Sequence, residues 1–321
     1  MNYYPLKLSY IEKSMLWGGS NLKKLMNKHS NFDKLAETWE LSVRENEMCR
    51  ITNGEYAGLP LGDYIKKFGK TVVSDTYNGE KFPLLIKFID AADKLSIQVH
   101  PTDKYAKEVE HDSGKTEMWY IISAEKDAEI IYGMADGIDH LNFADFVRSG
   151  KIDETLRHIK VTAGETYFIP SGMLHAIGQG IVIAEIQQNS DLTYRVYDYN
   201  RRDFAGNLRP LHVEKAIAVC DTYTNEYISN QQFEYASDKS DSSLLCACKY
   251  FTTQKLTAPY SAIADKSSFH SLICIDGKGT IICNSAEYPC EVGDSYYIPA
   301  DCGEYNLDGE FTVIKTTLTK K

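Results

Sequence analysis

Five polar side chains stand out in otherwise apolar or turn-forming segments of the sequence. Gln98 and His100 are two residues apart in LSIQVHP, as are Lys115 and Glu117 in KTEMWY, and His175 follows a Pro-x-Gly turn. Side chains at i and i+2 leave the same face of a β-strand, so each pair projects together. Two imidazoles, one carboxylate and one amide oxygen suit Zn²⁺ and leave room for water or substrate. A lone histidine at a strand end is more often structural, but the combined set favours a metal site.

The elements that must position these side chains are mostly strands. β-Branched and aromatic runs broken by turns predict strands over residues 83–90, 95–99, 117–122, 128–132, 166–169 and 181–187. Helical patterning is confined to short segments at about 61–69, 142–160 and 212–220, and the second of these is expected to form two helices separated at Ser149-Gly150. The polar stretch 237–243 is the expected linker, and the chain after it is almost all strand and turn.

An internal repeat indicates two copies of one β-barrel module. Residues 164–175 read GETYFIPSGMLH and residues 293–304 read GDSYYIPADCGE, so a Gly-acid turn leads into a strand that ends at a proline in both. The first copy ends in His175, whereas the second has Glu304 at the same offset. We therefore expect a catalytic, metal-binding domain over residues 1–236 and a C-terminal β domain without the metal site over residues 244–321.

Composition narrows the class of protein. The chain has 321 residues, 43% of them apolar, and a formal net charge of −10, which argues against nucleic acid or an anionic membrane as the main partner. A local cationic pocket can still bind an anionic small molecule. The sequence has no signal-peptide pattern and no apolar run of membrane-spanning length, and its eight scattered cysteines lack a CxxC pair. We expect a cytoplasmic protein with reduced cysteines, and no obligate protein partner is evident.

Several motifs resemble a known enzyme family. The phrase Gly-x5-Pro-x-Gly-x2-His at 164–175 matches the second cupin motif. The phrases Gln-x-His-Pro from residue 98 and Lys-x-Glu-Met-Trp-Tyr from residue 115 resemble the metal motif of the type I phosphomannose isomerases. AETWELS at 36–42 and the segment 175–201 also look like that family. The resemblance spans about residues 5–215 and is close to the shorter bacterial members, and the remaining tail is similar to the second cupin of the family.

The resemblance implies a fold, a metal and an activity. The implied fold is mainly β, with two cupin jelly-roll modules and a few short helices. The implied activity is the zinc-dependent interconversion of mannose 6-phosphate and fructose 6-phosphate through an enediolate, so the small-molecule partner would be a sugar phosphate. By position in the motifs, one Zn²⁺ per chain would be held by Gln98, His100, Glu117 and His175. The matching catalytic residues are Arg195, Lys115 and Glu185, and the matching substrate-binding residues are Trp17, Glu37 and Ser96.

The chemistry of an aldose–ketose isomerase requires such groups independently. A proton moves between C1 and C2, which needs positive charge near O1 and O2 and a base that can remove and return the proton. Glu185, a hydroxide at the metal and a neutral Lys115 all remain candidates for this base. Arg195 could instead form a structural ion pair with Asp191 or Asp198.

Other functions remain open at this point. They are a cupin that binds sugar or metal without turnover, an isomerase of a related sugar, and a cupin dioxygenase. A dioxygenase would normally need a site richer in histidine. The presence of Lys115, Glu185 and Arg195 beside a full ligand set favours an enzyme.

Overall fold

Strands form most of the chain, as the sequence predicts. The structure is a computed structural model that describes residues 3–138, 140–203, 205–223 and 225–320. Before residue 240 the strands are β1 (Leu6–Lys7), β2 (Ile11–Lys13), β3 (Glu37–Leu41), β4 (Val43–Arg44), β5 (Glu47–Met48), β6 (Leu84–Ala91), β7 (Ile97–Val99), β8 (Glu117–Ala124), β9 (Glu129–Met134), β10 (Leu156–Lys160), β11 (Thr166–Ile169), β12 (His175–Ile177), β13 (Ile181–Gln188) and β14 (Tyr194–Tyr197). All six strands predicted from this part of the sequence are present.

Two sheets of this part carry the candidate site between them. One has the strand order β11-β8-β13-β6-β3-β2, and the other has the order β10-β9-β12-β7-β14. Every residue of β6 and β13 is buried. Strands covered on both faces are expected to read as near-continuous apolar runs, as PLLIKFID and IVIAEIQ do. A charged residue in such a run must therefore find a partner inside the protein.

The helices are few and short. They are α1 (Asn21–Leu25), α2 (Leu61–Phe68), α3 (Lys70–Val73), α4 (Asp103–Tyr105), α5 (His140–Arg148), α6 (Val213–Val219) and α7 (Asn225–Gln232), with a π-helical turn at Ala106–Glu110 and 3₁₀ turns at Gly54–Tyr56 and Ile152–Thr155. In the described part of the chain, no helix is long and apolar enough to cross a membrane.

The prediction of two helices within residues 142–160 is wrong in its second half. α5 ends at Arg148, and Gly150 follows with a φ of 74°. Residues 156–160 then form β10, which pairs antiparallel with β9 through a register shift. The apolar spacing of this segment also suits a helix, so pairing with the free edge of β9 decides its conformation.

The remaining strands form the C-terminal sheet. They are β15 (Leu244–Ala247), β16 (Phe251–Thr257), β17 (Tyr260–Ala264), β18 (His270–Cys283), β19 (Ala286–Glu291), β20 (Ser295–Ile298) and β21 (Gly303–Leu318). Their order is β1-β20-β18-β21-β16-β15, so β1 from the start of the chain joins this sheet; β17 and β19 pair with β21 and β18. One face of the sheet packs into the same apolar core as β6, β8 and β13, and its other face encloses a separate apolar cluster.

The two repeat copies have matching backbones. Gly164 and Gly293 have φ values of 95° and 88° at the entry turn. Gly172 and Asp301 have φ values of 92° and 61° in the turn after the proline. Positive φ is strained for most residues but accessible to glycine and, less readily, to aspartate. The sequence repeat therefore corresponds to a repeated turn–strand–turn path.

Candidate active site

A buried cluster of three side chains can hold a metal ion. His100, Glu117 and His175 each offer one donor atom, and these atoms lie within 4.8 Å of one another. The Nε2 atoms of the two histidines are 3.1 Å apart, and each is 3.6 Å from a carboxylate oxygen of Glu117. Glu117 begins β8 in one sheet, whereas His100 follows β7 and His175 begins β12 in the other. The two sheets thus face each other across the cluster.

Both histidines are oriented as metal ligands require. Nδ1 of His100 lies 2.8 Å from the carbonyl oxygen of Leu192, and Nδ1 of His175 lies 2.7 Å from that of Met173. With each Nδ1–H donating to its carbonyl, the lone pair of each Nε2 points into the cluster. Burial lowers the pKa of His175 to about 4 and that of His100 well below its usual value. Both rings are therefore neutral near pH 7, the form that binds metal.

Gln98 lies at the edge of the cluster. It is the register partner of His175 on one side and of Arg195 on the other, so these three side chains form a row across the sheet. Its amide nitrogen Nε2 is 3.5 Å from Nε2 of His175. Ligation through its oxygen requires the amide group to turn over, a change that preserves the shape of the side chain. Ser96, two residues before Gln98, is buried on the same face of the chain.

Charged side chains surround the Glu117 carboxylate. Lys115 Nζ lies 2.8 Å from Glu117 Oε2, 3.2 Å from His100 Nε2 and 4.0 Å from Glu185 Oε1. Lys87 Nζ lies 3.1 Å from the same Glu185 oxygen. Burial alone would raise the pKa of both carboxyls. Lys115 and Lys87 reverse this for Glu185, whose pKa falls to about 2, whereas burial and the charge of Glu185 raise the pKa of Glu117 to about 7.

Trp119 connects the two carboxylates. Its indole N–H lies 3.0 Å from Glu117 Oε1 and 3.3 Å from Glu185 Oε2, within hydrogen-bond reach of both. Trp119 follows Glu117 by two residues on β8 and is the register partner of Glu185 on β13. Strand alternation and cross-strand register thus direct all three side chains to one face.

A cleft of about 350 Å³ opens beside the cluster. Seven of the ten predicted site residues line it: Trp17, Glu37, Ser96, Gln98, Lys115, Glu185 and Arg195. The other three, His100, Glu117 and His175, are buried directly behind Lys115 and Gln98. The structure therefore brings all ten residues together around one cleft and its inner wall.

The guanidinium of Arg195 lies at this cleft and is only partly hydrogen-bonded by the described residues. Nη1 donates to the carbonyl oxygen of Pro210 at 2.9 Å, and the buried Nε has no hydrogen-bond partner among the described residues. Asp198, which could have paired with Arg195, instead binds Arg201 and Arg209. No described carboxylate lies within 4.0 Å of Arg195, so the structural ion pair considered from the sequence does not form.

The cleft also contains residues that sequence reasoning missed. Lys87 and Trp119 contact Glu185, while Lys13 and Arg209 line the cleft. A signal existed for Lys87, because it is the lone cation in the buried run PLLIKFID. Trp119 lay inside the quoted motif, two residues from Glu117, and the same alternation could have found it. Lys13 and Arg209 lie in polar surroundings that carry no such signal.

Comparison with known proteins places the chain in a family. Two family models match it: the type I phosphomannose isomerase catalytic domain over residues 5–134, and the mannose-6-phosphate isomerase cupin domain over residues 242–318. Mannose-6-phosphate isomerase ManA from Bacillus subtilis is 36% identical over 315 residues, which cover 96% of this chain and 97% of ManA. The chain belongs to the type I phosphomannose isomerase family.

Further relatives agree with this assignment. A mannose-6-phosphate isomerase from Streptococcus mutans is 35% identical over 97% of both chains. The crystal structure of the mannose 6-phosphate isomerase from Bacillus subtilis aligns with a TM-score of 0.85 at 32% identity, covering 97% of this chain and 99% of that one. The family resemblance and the mainly β, cupin fold class predicted from the sequence are confirmed.

Proposed function

We propose that the protein is a zinc-dependent isomerase that interconverts mannose 6-phosphate and fructose 6-phosphate in the cytoplasm. The observation that carries the proposal is a buried His100–Glu117–His175 cluster that adjoins a cleft containing Arg195, which has no ion pair among the described residues. One Zn²⁺ per chain would be held by these three residues and Gln98. We assign catalysis to residues 1–236, and residues 244–321 form a domain without this site.

The charges of the cleft favour an anionic substrate. Five cationic side chains line it against four carboxylates, although the whole chain carries a formal charge of −10. Lys13 pairs with Glu47, and Lys87 with Glu37 and Glu185. The carboxylates facing the cleft are thus largely neutralised, while Arg195 is free to bind a phosphate or an oxyanion. Trp17 offers an apolar surface at the same cleft, and Glu37 and Ser96 offer acceptors for sugar hydroxyls.

The chain's own residues account for binding, charge stabilisation and proton transfer. When bound, the zinc ion would supply positive charge next to the reacting oxygens. The guanidinium of Arg195 stabilises the negative charge that develops on O1 and O2 of the enediolate. Glu185 lines the cleft, is ionised near pH 7, and is fixed by Lys87 and Trp119.

Two groups at the cleft can carry the proton between C1 and C2. They are Glu185 and Lys115, which both line it. Glu185→Gln and Lys115→Met, assayed in D₂O, separate their roles. The variant that loses incorporation of deuterium at C2 while still binding zinc and sugar phosphate identifies the proton carrier.

A coupled assay tests the activity directly. Turnover of mannose 6-phosphate is compared with turnover of mannose and glucose 6-phosphate, alongside metal analysis. Chelation should abolish isomerisation, and Zn²⁺ should restore it. Full activity in a verified metal-free sample would contradict the role of the metal, and metal binding without turnover of any sugar phosphate would indicate a binding protein.

Arg195→Ala tests the assignment of the arginine. Turnover should fall by about 10²- to 10³-fold, because a preorganised donor to a developing oxyanion is lost. Metal content should remain normal, since the guanidinium contacts none of the buried ligands. Arg202→Ala is the matched control, because Arg202 is exposed and its guanidinium bonds only to the Gly206 carbonyl among the described residues. Equal turnover of the two variants would show that Arg195 is structural.

A further inference from the structure

The repeat aligns the C-terminal sheet with the sheet that carries the active site. Ile169 ends the first repeat strand and is the register partner of Glu117. Ile298 occupies the same place in the second copy and is the register partner of His270. His270 therefore stands in the C-terminal sheet where Glu117 stands in the catalytic one.

The correspondence continues onto the next two strands. In the catalytic sheet, Glu185 pairs across the strands with Lys87. At the equivalent position of the C-terminal sheet, Lys315 pairs with Gln254. On β8, Trp119 lies two residues after Glu117 and is the register partner of Glu185 on β13. On β18, Leu272 lies two residues after His270 and is the register partner of Lys315 on β21. Lys315 therefore occupies the position that corresponds to Glu185. A cation has thus replaced a carboxylate at the site of Glu185.

These residues line a second cavity of about 350 Å³. Alternation along β16, β18 and β21 directs one set of side chains to the same face. Away from the cavity the side chains on this face are apolar, and Leu256, Leu272 and Val313 belong to a buried cluster. Towards the cavity this face becomes polar, with Thr252, Gln254, His270, Lys315 and Thr317.

Two nitrogen donors at this cavity have no partner among the described residues. His270 is only 7% exposed, and its Nδ1 lies 2.8 Å from the Tyr305 hydroxyl. With that hydroxyl donating to Nδ1, the Nε2–H is left to donate into the cavity, and it has no hydrogen-bond partner among the described residues. Lys315 forms no ion pair in the described part of the chain, and burial lowers its pKa. Burial and the nearby charge of Lys315 lower the pKa of His270 to about 3.

The carboxylates around the same cavity are already engaged. Asp241 accepts hydrogen bonds from Ser243 and Gln254. Asp265 accepts hydrogen bonds from Ser267 and Lys320. Asp238, the third carboxylate at the cavity, accepts hydrogen bonds from Ser240. Each of the three carboxylates thus already has hydrogen-bond donors, although only Asp265 is paired with a cation. His270 Nε2 and the partly buried Lys315 ammonium, by contrast, have no hydrogen-bond or ion-pair partner among the described residues. An anion would satisfy both donors, and a metal ion would meet a cation instead of a ligand carboxylate.

We propose that this cavity of the C-terminal sheet binds a phosphate group, either free or carried by a sugar, through Lys315 and His270. The site is distinct from the catalytic cleft and holds no residue of it. A phosphate offers several oxygens for charge-assisted hydrogen bonds from the ammonium and the imidazole N–H.

NMR of the histidine ring nitrogens provides a local test in the full-length, zinc-loaded protein. Inorganic phosphate is titrated, and the ring signal of His270 is assigned from its absence in His270→Asn. We expect this signal to shift and to saturate with phosphate. Lys315→Met should lower the affinity of this site for phosphate by about ten-fold or more, because a charge-assisted hydrogen bond is lost. Lys266→Met is the matched control, since Lys266 lies in the turn between β17 and β18, pairs with Asp301 and does not line the cavity.

The remaining outcomes decide the proposal and the source of the phosphate. The proposed site would be overturned if the His270 signal does not shift with either phosphate or fructose 6-phosphate. It would also be overturned if the signal responds in Lys315→Met as it does in the wild type. A response to mannose as strong as that to phosphate would also overturn it, since it would identify a sugar site without anion recognition. A response to fructose 6-phosphate alone would assign the group to a sugar. Turnover should be unchanged in Lys315→Met, so the proposed isomerase activity is tested separately.

Lys315→Met also has a stability signature that does not depend on NMR. The substitution replaces a partly buried ammonium, which has no ion pair among the described residues, with an apolar chain of similar length, so Tm without phosphate should rise. Wild-type Tm should rise on adding phosphate, and the part of this rise due to the C-terminal site should be missing in the variant. If Lys315→Met does not fold, Lys315→Gln keeps a neutral polar chain there and answers the same question.

Discussion

Glu40→Gln is expected to destabilise the fold strongly, because it leaves a buried ammonium without its counter-charge. Glu40 lies on β3, the strand that also carries Glu37 into the cleft, and its Oε2 is 2.8 Å from Nζ of Lys28. Both side chains are almost fully buried. Lys28 also donates to the Gly293 carbonyl at 2.6 Å, and the Ser295 hydroxyl donates to Glu40. The pair thus links β3 to the second copy of the repeat.

The magnitude follows from the distance and the burial. At 2.8 Å and an effective dielectric constant of about 20, the attraction is about 6 kcal/mol. Breaking one partner of a buried pair costs about 3–5 kcal/mol in measured cases. Lys28 keeps the Gly293 carbonyl and lies 4.2 Å from the centre of the Tyr10 ring. Since these contacts compensate in part, we expect a loss of about 3 kcal/mol in the free energy of unfolding.

Urea unfolding followed by circular dichroism measures this loss. Removing both charges in the double variant Lys28→Met/Glu40→Leu should restore much of the stability, because no isolated charge remains buried. Lys160→Met is the control, since it breaks an exposed ion pair with Asp127 at 2.7 Å and should have a far smaller effect. The reasoning fails if Glu40→Gln matches the control, or if the double variant is as unstable as Glu40→Gln.

Three further predictions concern the site and the fold. Trp119→Phe removes the indole donor to both buried carboxylates. The affinity for zinc, measured by competition with a chelator, should fall by about ten- to a hundred-fold. Unchanged affinity would contradict the positioning role of Trp119. Burial raises the pKa of Asp198, but hydrogen bonds from Arg209 and Arg201 outweigh it and lower the pKa below its usual value. The stability that this ionised carboxylate contributes is present above its unfolded pKa of about 3.9 and is lost as pH falls through the lower folded pKa. Wild type should therefore lose more unfolding free energy than Asp198→Asn between about pH 5 and pH 2, and parallel curves would refute this. Gly293→Ala should lower the urea midpoint, since φ is 88° and a Cβ would lie 1.9 Å from a backbone oxygen; a midpoint equal to wild type would contradict the geometry.

The site residues could be predicted where a local rule decides the direction of a side chain. Gln98 and His100 share a face because strand alternation has a period of two, and the same rule pairs Lys115 with Glu117. His175 could be predicted because the Pro-x-Gly turn before it has a sequence signature. None of these inferences needed knowledge of strand pairing.

Arg195, Glu185, Trp17, Glu37 and Ser96 were named only through the family resemblance. The remaining contacts of the site depend on pairing between distant strands, which the sequence does not reveal. Lys87 reaches Glu185 because β6 and β13 align these two residues directly across the sheet. A shift by one residue would turn Lys87 to the opposite face. The strand at 156–160 also could not be predicted locally, because its pairing with the edge of β9 makes this segment a strand instead of a helix. Non-local register is therefore the information that was missing.

Register also changes what the sequence repeat means. The repeat itself shows one difference, His175 in the first copy and Glu304 in the second. The neighbouring strands β8 and β18, which read EMWYIISA and HSLICIDG at their starts, have no similarity that would align them. Pairing with the repeat strands supplies the alignment and sets His270 against Glu117. The same backbone arrangement thus presents carboxylate and imidazole groups in one module and nitrogen donors in the other. The side chains at matched positions, and not the fold, therefore decide which module is suited to a metal and which to an anion.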